Sequence, residues 1–201
     1  EELMDPKGAA TVRAYHSERM SRFGVASARA LGWRDAYSQR QRFEQIAEIG
    51  NLNGRTLLDV GCGHGDFFRF VSELYPDLDY FGLDQEKAFL EVAVERYGTK
   101  PNTKFFFGDF ESVSLSRYDY VICCGGLNYR TSDKRHMLKM ITKFFNASKI
   151  GVGLNILRSV DFKNGILVPY SESEVMRFCS KLTSEVVLTA KEDNFSVFLY
   201  R

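Results

Sequence analysis

The chain reads as an α/β protein: a doubly wound, mostly parallel seven-stranded sheet with a C-terminal antiparallel hairpin and a helical cover at its start. Three observations predict this. Apolar, strand-like runs alternate with helical patterns through most of the chain after residue 55. The first run ends in three glycines at alternate positions, Gly61, Gly63 and Gly65, and a helical pattern follows. Glycine and acid gather at four strand C-terminal ends: Asp59 to Gly65, Asp84-Gln85, Gly108-Asp109-Phe110 and Cys124-Gly125-Gly126. Open α/β sheets bind ligands outside those ends, near the switch in strand order.

Residues 1 to about 12 are polar and read as a frayed end. Residues 11–49 carry a helical pattern with breaks near Gly24 and Gly32. Its clearest piece runs from about Asp35 to Gly50, with Phe43, Ile46, Ala47 and Ile49 on one face and Gly50 as the C-terminal stop. Residues 1–50 are therefore taken as a cover or lid, and residues 51–201 as the main domain that forms one globular unit with it. Strands are expected at residues 56–61, 78–83, 103–107, 118–124 and 149–157, and helices at 66–75, 85–97, 133–145 and 171–182. Asp133 or Ser132 suits the N-cap of the third of these helices, and Ser171-Glu172-Ser173-Glu174 resembles a capping box on the fourth. Residues 184–189 and 195–200, around Glu192-Asp193-Asn194, form the closing hairpin.

With 201 residues the chain is sized for one domain with a sizeable core. The net charge of +1 supplies no global field to recruit nucleic acid or a membrane. The one local asymmetry is seven arginines (Arg13, Arg19, Arg22, Arg29, Arg34, Arg40, Arg42) against Glu18 and Asp35 in residues 11–42. They form either a solvated helical face or a basic wall over a site for anionic groups. Cys62, Cys123, Cys124 and Cys179 show no zinc-type spacing and read as reduced, buried thiols of a cytoplasmic protein. No run is long enough to span a membrane, and no signal peptide opens the chain.

A dinucleotide turn wants G-x-G-x-x-G, but the position three after Gly63 is Asp66. With acid at both ends, Asp59 and Asp66, the turn suits a cationic amino-acid group better than a pyrophosphate. Over roughly residues 40–200 the sequence resembles the class I S-adenosylmethionine-dependent methyltransferases. Four motifs in order carry the resemblance. Asp59-Val60-Gly61-Cys62-Gly63-His64-Gly65 matches the acid-x-Gly-x-Gly-x-Gly turn, and Asp84 matches the acid that ends the second strand. Gly108-Asp109-Phe110 matches the third motif, and residues 118–126 the apolar fourth.

The resemblance implies a Rossmann-like fold, S-adenosyl-L-methionine as methyl donor, and a role for each matched residue. Gly61, Cys62 and Gly63 would touch the methionine part, with Asp59 bracing the turn or holding the amino group. Asp84 would accept from both ribose hydroxyls, since two carboxylate oxygens match a vicinal diol. Gln85, Asp109 and Phe110 would line the adenine, and Cys124 and Gly125 would lie near the sulfonium. Apart from the matched motifs, Arg42, just before the first strand, reads either as reaching the donor carboxylate or an acidic acceptor, or as a solvated arginine. His64 reads as a tolerated side chain of the turn, and His16 and His136 as surface.

The acceptor is less legible, because transfer from a sulfonium needs a base only when the acceptor is neutral and weakly acidic. Cys124-Gly125-Gly126-Leu127-Asn128-Tyr129 lacks the Asp/Asn-Pro-Pro-aromatic run that enzymes acting on DNA amines share. A small-molecule acceptor, possibly anionic, is expected, with Asn128 and Tyr129 as candidate catalytic or contact residues. Alternatives are an RNA, tRNA or protein acceptor, or a non-catalytic donor-binding subunit. No metal is expected, neither nucleic acid nor membrane is an expected partner, and the oligomeric state is not legible.

Overall fold

The computed structural model describes residues 6–161 and 165–201. Helix α1 (Pro6–Phe23) and helix α2 (Ala36–Ile46) precede the sheet. They are followed by β1 (Thr56–Val60), α3 (Asp66–Ser72), β2 (Asp79–Asp84), α4 (Lys87–Tyr97), β3 (Thr103–Phe107) and β4 (Tyr118–Cys124). The chain then runs through α5 (His136–Ala147), β5 (Ser148–Leu157), α6 (Glu172–Cys179), β6 (Val186–Ala190) and β7 (Asn194–Tyr200).

The seven strands lie in the order β3-β2-β1-β4-β5-β7-β6. Pairing is parallel from β3 through β5, while β7 is antiparallel to both β5 and β6. The expected hairpin therefore enters the sheet through its second strand. The strand order reverses between β1 and β4, so the carboxyl ends of β1, β2 and β4 converge at one switch point.

Alternation along the strands sends side chains into two apolar layers. Leu58, Val60, Val121, Val152, Leu154, Val197 and Leu199 pack with Met137, Ile141 and Phe144 of α5 and Val175 and Cys179 of α6. On the other face Leu57, Tyr80, Ile122 and Phe198 pack with Phe43 and Ile46 of α2 and Phe67, Phe68 and Val71 of α3. Asp59, between Leu58 and Val60 in sequence, is a carboxylate in this second layer, where Tyr80 donates to it.

The breaks in the N-terminal pattern are backbone turns: Gly24, Gly32 and Gly50 have φ of 79°, 96° and 145°. Asp35 caps α2, its Oδ1 accepting from Ser38 N at 2.7 Å while Ser38 Oγ accepts from Asp35 N at 3.2 Å. Four expectations need correction. Residues 6–12, read as frayed, belong to α1; residues 1–5 of that expectation lie outside the described residues. Asp133 does not cap α5: it closes the preceding turn, accepting from Arg135 N, and α5 begins at His136. Ser171 stands at the N-cap of α6 without a side-chain cap bond, because its hydroxyl pairs with Ser173 Oγ at 2.8 Å. His16 and His136, read as surface, are buried at 7% and 8% exposure.

Candidate active site

The site is built on the turn after β1. Leu83 O, at the end of β2, accepts from Gly61 N at 2.8 Å and Cys62 N at 3.1 Å. Gly63 N donates to Asp84 Oδ2 and Glu86 N to Asp84 Oδ1, each at 2.8 Å. One carboxylate thus fastens the turn after β1 to the turn after β2. Gly61, Gly63 and Gly65 have φ of 76°, 55° and 72°, the left-handed region that glycine alone enters without strain. Their surroundings differ. A Cβ on Gly65 would lie 3.1–3.2 Å from Tyr97 and Phe105, and one on Gly63 would lie 2.7 Å from Leu31. A Cβ on Gly61 would meet nothing within 4 Å. Gly61 therefore presents bare backbone to open space, two residues before the Gly63 N–H that Asp84 holds.

Two buried acids sit beneath this opening. Asp84 is 8% exposed, and burial pushes its carboxyl up to about 6 against the pull of its backbone hydrogen bonds. Asp59 is 3% exposed, and burial pushes it up to about 7, although Tyr80 OH donates to its Oδ2 at 2.5 Å. That bond ties Asp59 of β1 to Tyr80 of β2. Among the described residues no arginine, lysine or histidine forms an ion pair with either acid. Buried carboxylates without a cation leave acceptor capacity and negative potential for a ligand that donates hydrogen bonds or carries positive charge.

Because both pKa values are raised on folding, the native chain holds protons that the unfolded chain releases between about pH 4 and 7. Their stabilising contribution is full below the unfolded value and is lost as pH rises through the folded one. His16 and His64, lowered mainly by burial, act in the opposite sense below about pH 6.5, so Asp59 is best read as a difference. Asp59→Asn keeps an oxygen for Tyr80 and is expected to stabilise the protein by about 2–4 kcal/mol at pH 8. The advantage should vanish near pH 4. Urea unfolding of both proteins at the two pH values checks this, and a pH-independent difference would refute it.

The other expected site residues gather around the same strand ends. Gln85 is half-buried directly after Asp84. Asp109 Oδ1 accepts from Glu111 N at 2.9 Å and Oδ2 from Ser112 Oγ at 3.1 Å, shaping the turn after β3. Phe110 is a core residue, its ring 6.4 Å from that of Phe144. Cys62 is buried and Cys124 half-buried; burial holds the Cys62 thiol well above its ordinary value and pushes Cys124 up to about 12. Both are protonated near neutral pH. Arg42 lies over the Trp33 ring at 5.2 Å and pairs with Asp193 at 3.8 Å. Asn128 is fully buried, and its amide ties two loops together: Nδ2 donates to Val168 O at 2.8 Å, and Oδ1 accepts from Leu157 N at 2.9 Å. His64 is fully buried against Phe89, with its Nδ1 3.8 Å from Asp66 Oδ2.

The N-terminal cover closes over these ends. Leu31 lies on Gly63, and Trp33 lies 3.4 Å from where a Cβ of Gly125 would be. Arg19 donates to the carbonyls of Arg29 and Trp33, and Arg22 and Arg29 stack on Phe23. Much of the basic wall is thus spent holding the cover together. His16 Nε2 meets Tyr129 OH at 2.9 Å, joining α1 to the loop after β4. Sequence reasoning missed this contact, which spans 113 residues and leaves no local signal.

Residues 58–147 match a family model described as a methyltransferase domain. The chain is 33% identical over 73 residues to malonyl-[acyl-carrier protein] O-methyltransferase of Halalkalibacterium halodurans, covering 34% of this chain and 27% of that protein. It is 30% identical over 100 residues to ubiquinone biosynthesis O-methyltransferase of Alkalilimnicola ehrlichii, covering 45% and 38%. The matches span only about a quarter to two fifths of the curated relatives' length. Among solved structures, magnesium protoporphyrin IX methyltransferase from Synechocystis PCC 6803 with bound SAH aligns with a TM-score of 0.73 at 16% identity, covering 96% of this chain and 99% of that one. N-methyltransferase NodS from Bradyrhizobium japonicum WM9 with S-adenosyl-L-homocysteine aligns with a TM-score of 0.69 at 17% identity, covering 92% and 98%.

Proposed function

We propose, from the premise that this chain belongs to the class I S-adenosylmethionine-dependent methyltransferases, that it moves a methyl group from S-adenosyl-L-methionine to an oxygen or nitrogen atom of a small-molecule acceptor. What supports the donor half is the conjunction of Gly61, whose missing side chain leaves open space, with the buried carboxylate of Asp84, which has no cationic partner among the described residues. These residues fit the donor. Asp84 has acceptor capacity left for two ribose hydroxyls after its two backbone bonds, and Gly61 to Gly63 offer backbone with no Cβ at Gly61 to obstruct approach. A pyrophosphate fits worse, since the first turn of α3 holds Asp66, bound to Arg96 at 3.0 Å.

Bound there, the sulfonium supplies an already activated methyl group, so the chain's task is proximity, alignment and exclusion of water. Asp59, two residues before Gly61, is held by Tyr80 of β2. Gln85, Asp109 and Phe110 line the adenine side, and Cys124 and Gly125 the side of the transferring methyl. Arg42, with only 12% of its side chain exposed, supplies positive charge for a carboxylate. Trp33 and Leu31 shield the site from water, so the described part of the N-terminal segment, residues 6–50, serves as its cover.

The small-molecule acceptor is supported by the relatives whose names mention ubiquinone biosynthesis and protoporphyrin. The net charge of +1 favours it over RNA. The four thiols, none in a disulfide, fit a reducing cytoplasm. No helix among the described residues is long and apolar enough to cross a membrane. The test is incubation with methyl-labelled donor and separate small-metabolite, RNA and protein pools. Label in the metabolite pool is expected, and label confined to RNA or protein would overturn the acceptor assignment.

A further inference from the structure

We propose that Tyr129 and His16 form a proton-accepting pair that serves a neutral, phenol-class acceptor. The inference rests on the methyltransferase reading above and deepens it, naming the acceptor's chemistry and the residue that handles its proton.

The geometry fixes the direction of the pair. His16 Nδ1 lies 3.0 Å from Ala30 O, a carbonyl that can only accept, so Nδ1 carries the ring proton. Nε2 is then the bare nitrogen, and Tyr129 OH donates to it at 2.9 Å. Burial, with Arg19 adding to it, lowers the His16 value and keeps the ring neutral near pH 7, while burial raises Tyr129 and keeps it protonated. The charged and titratable groups facing the pair are Tyr15 and Arg19 from α1, and Asp84 and Cys123 from the sheet ends. From α4 the pair meets Phe89, which is apolar.

The surroundings fit an aromatic acceptor. The His16 ring meets those of Tyr15, Phe89 and Tyr129 edge-on at 5.1–5.7 Å. A Cβ on Gly32 would lie 3.3 Å from Tyr15 OH and 3.8 Å from Tyr129 OH, so two phenol oxygens converge on a residue without a side chain. Trp33, the next residue, lies against Gly125. Asp84 and Cys123, near the carboxyl ends of β2 and β4, act on the Tyr129 hydroxyl, so the pair lies toward the strand ends assigned to the donor.

A carboxylate acceptor needs no base, whereas a phenol must lose its proton as it is alkylated. In the step we propose, an oxygen lone pair of the phenol forms the new O–C bond and the S–C bond pair stays on sulfur. The phenol proton passes to Tyr129 Oη as the proton of Tyr129 passes to His16 Nε2. The positive charge lost from sulfur reappears as imidazolium. Tyr129 is the catalytic residue, and His16 acts through it.

The test uses 4-nitrophenol as probe, bound to the full chain saturated with S-adenosylhomocysteine, with its ionisation followed by phenolate absorbance against pH. Tyr129→Phe keeps the ring and removes the hydroxyl. His16→Asn keeps a donor for Ala30 O and removes Nε2. In the parent complex the bound probe should ionise about one pH unit or more below its midpoint in either variant, with S-adenosylhomocysteine affinity unchanged in all three proteins. Equal midpoints, or no probe binding by the parent, would overturn the proposal and leave the donor assignment standing. Failure of the parent to bind S-adenosylhomocysteine would instead sink the methyltransferase reading.

Discussion

Asp84→Ala is expected to weaken S-adenosylhomocysteine binding by about a hundred- to ten-thousand-fold, the largest effect of any single substitution proposed for this site. A charge-assisted hydrogen bond contributes about 1.5–3 kcal/mol, and the proposed diol contact makes two. The substitution also frees Gly63 N and Glu86 N, which loosens the turn that holds the rest of the ligand. The cost to the unliganded fold should be smaller, because loss of those two partners is offset by removing a carboxylate whose charge is unfavourable to bury. Titration calorimetry and thermal unfolding on the same preparation separate the two effects. Affinity unchanged within a few-fold would place the ribose elsewhere.

Gly61→Ala and Gly65→Ala should part company in the same two measurements. Each forces alanine into the left-handed region, costing about 1–2 kcal/mol. At Gly61 the new methyl meets nothing in the protein, so the fold should survive with that penalty alone. The methyl would stand in the space assigned to the donor, and affinity should fall at least about tenfold. At Gly65 the methyl would press on Tyr97 and Phe105, so the loss should be mainly in stability, by about 2–4 kcal/mol. If the Gly61 variant bound as well as the parent, the open space beside that turn would not be the donor site.

The sheet was legible because its signals are local. Apolar runs have a period, glycine marks positive φ, and acids at strand ends have no packing reason to be there. Gly61, Gly63 and Gly65 are legible in the sequence as a glycine turn, yet only the structure shows them left-handed and distinguishes the packed one, the one under Leu31 and the open one. Asp133 is not the cap of α5, and Ser171 stands at the N-cap of α6 without a capping bond, because a short polar side chain near a helix start has several backbone and hydroxyl partners within reach. Asn128 was legible as an unusual polar residue in the loop after β4. Its use in tying that loop to Leu157 and Val168 depends on a connection folding back over 40 residues. His16 was set aside for the same reason. A histidine's partner across 113 residues is a tertiary fact, and an arginine-rich helix suggests solvent on every face.

The central claim is that the glycine turn and Asp84 form a methyl-donor site, and calorimetric titration of the full chain with S-adenosylmethionine and S-adenosylhomocysteine tests it most directly. The account predicts one site per chain, filled at micromolar concentration or below by both ligands, with binding strongly weakened in Asp84→Ala. No heat of binding at millimolar ligand, or preferential binding of a dinucleotide, would contradict it.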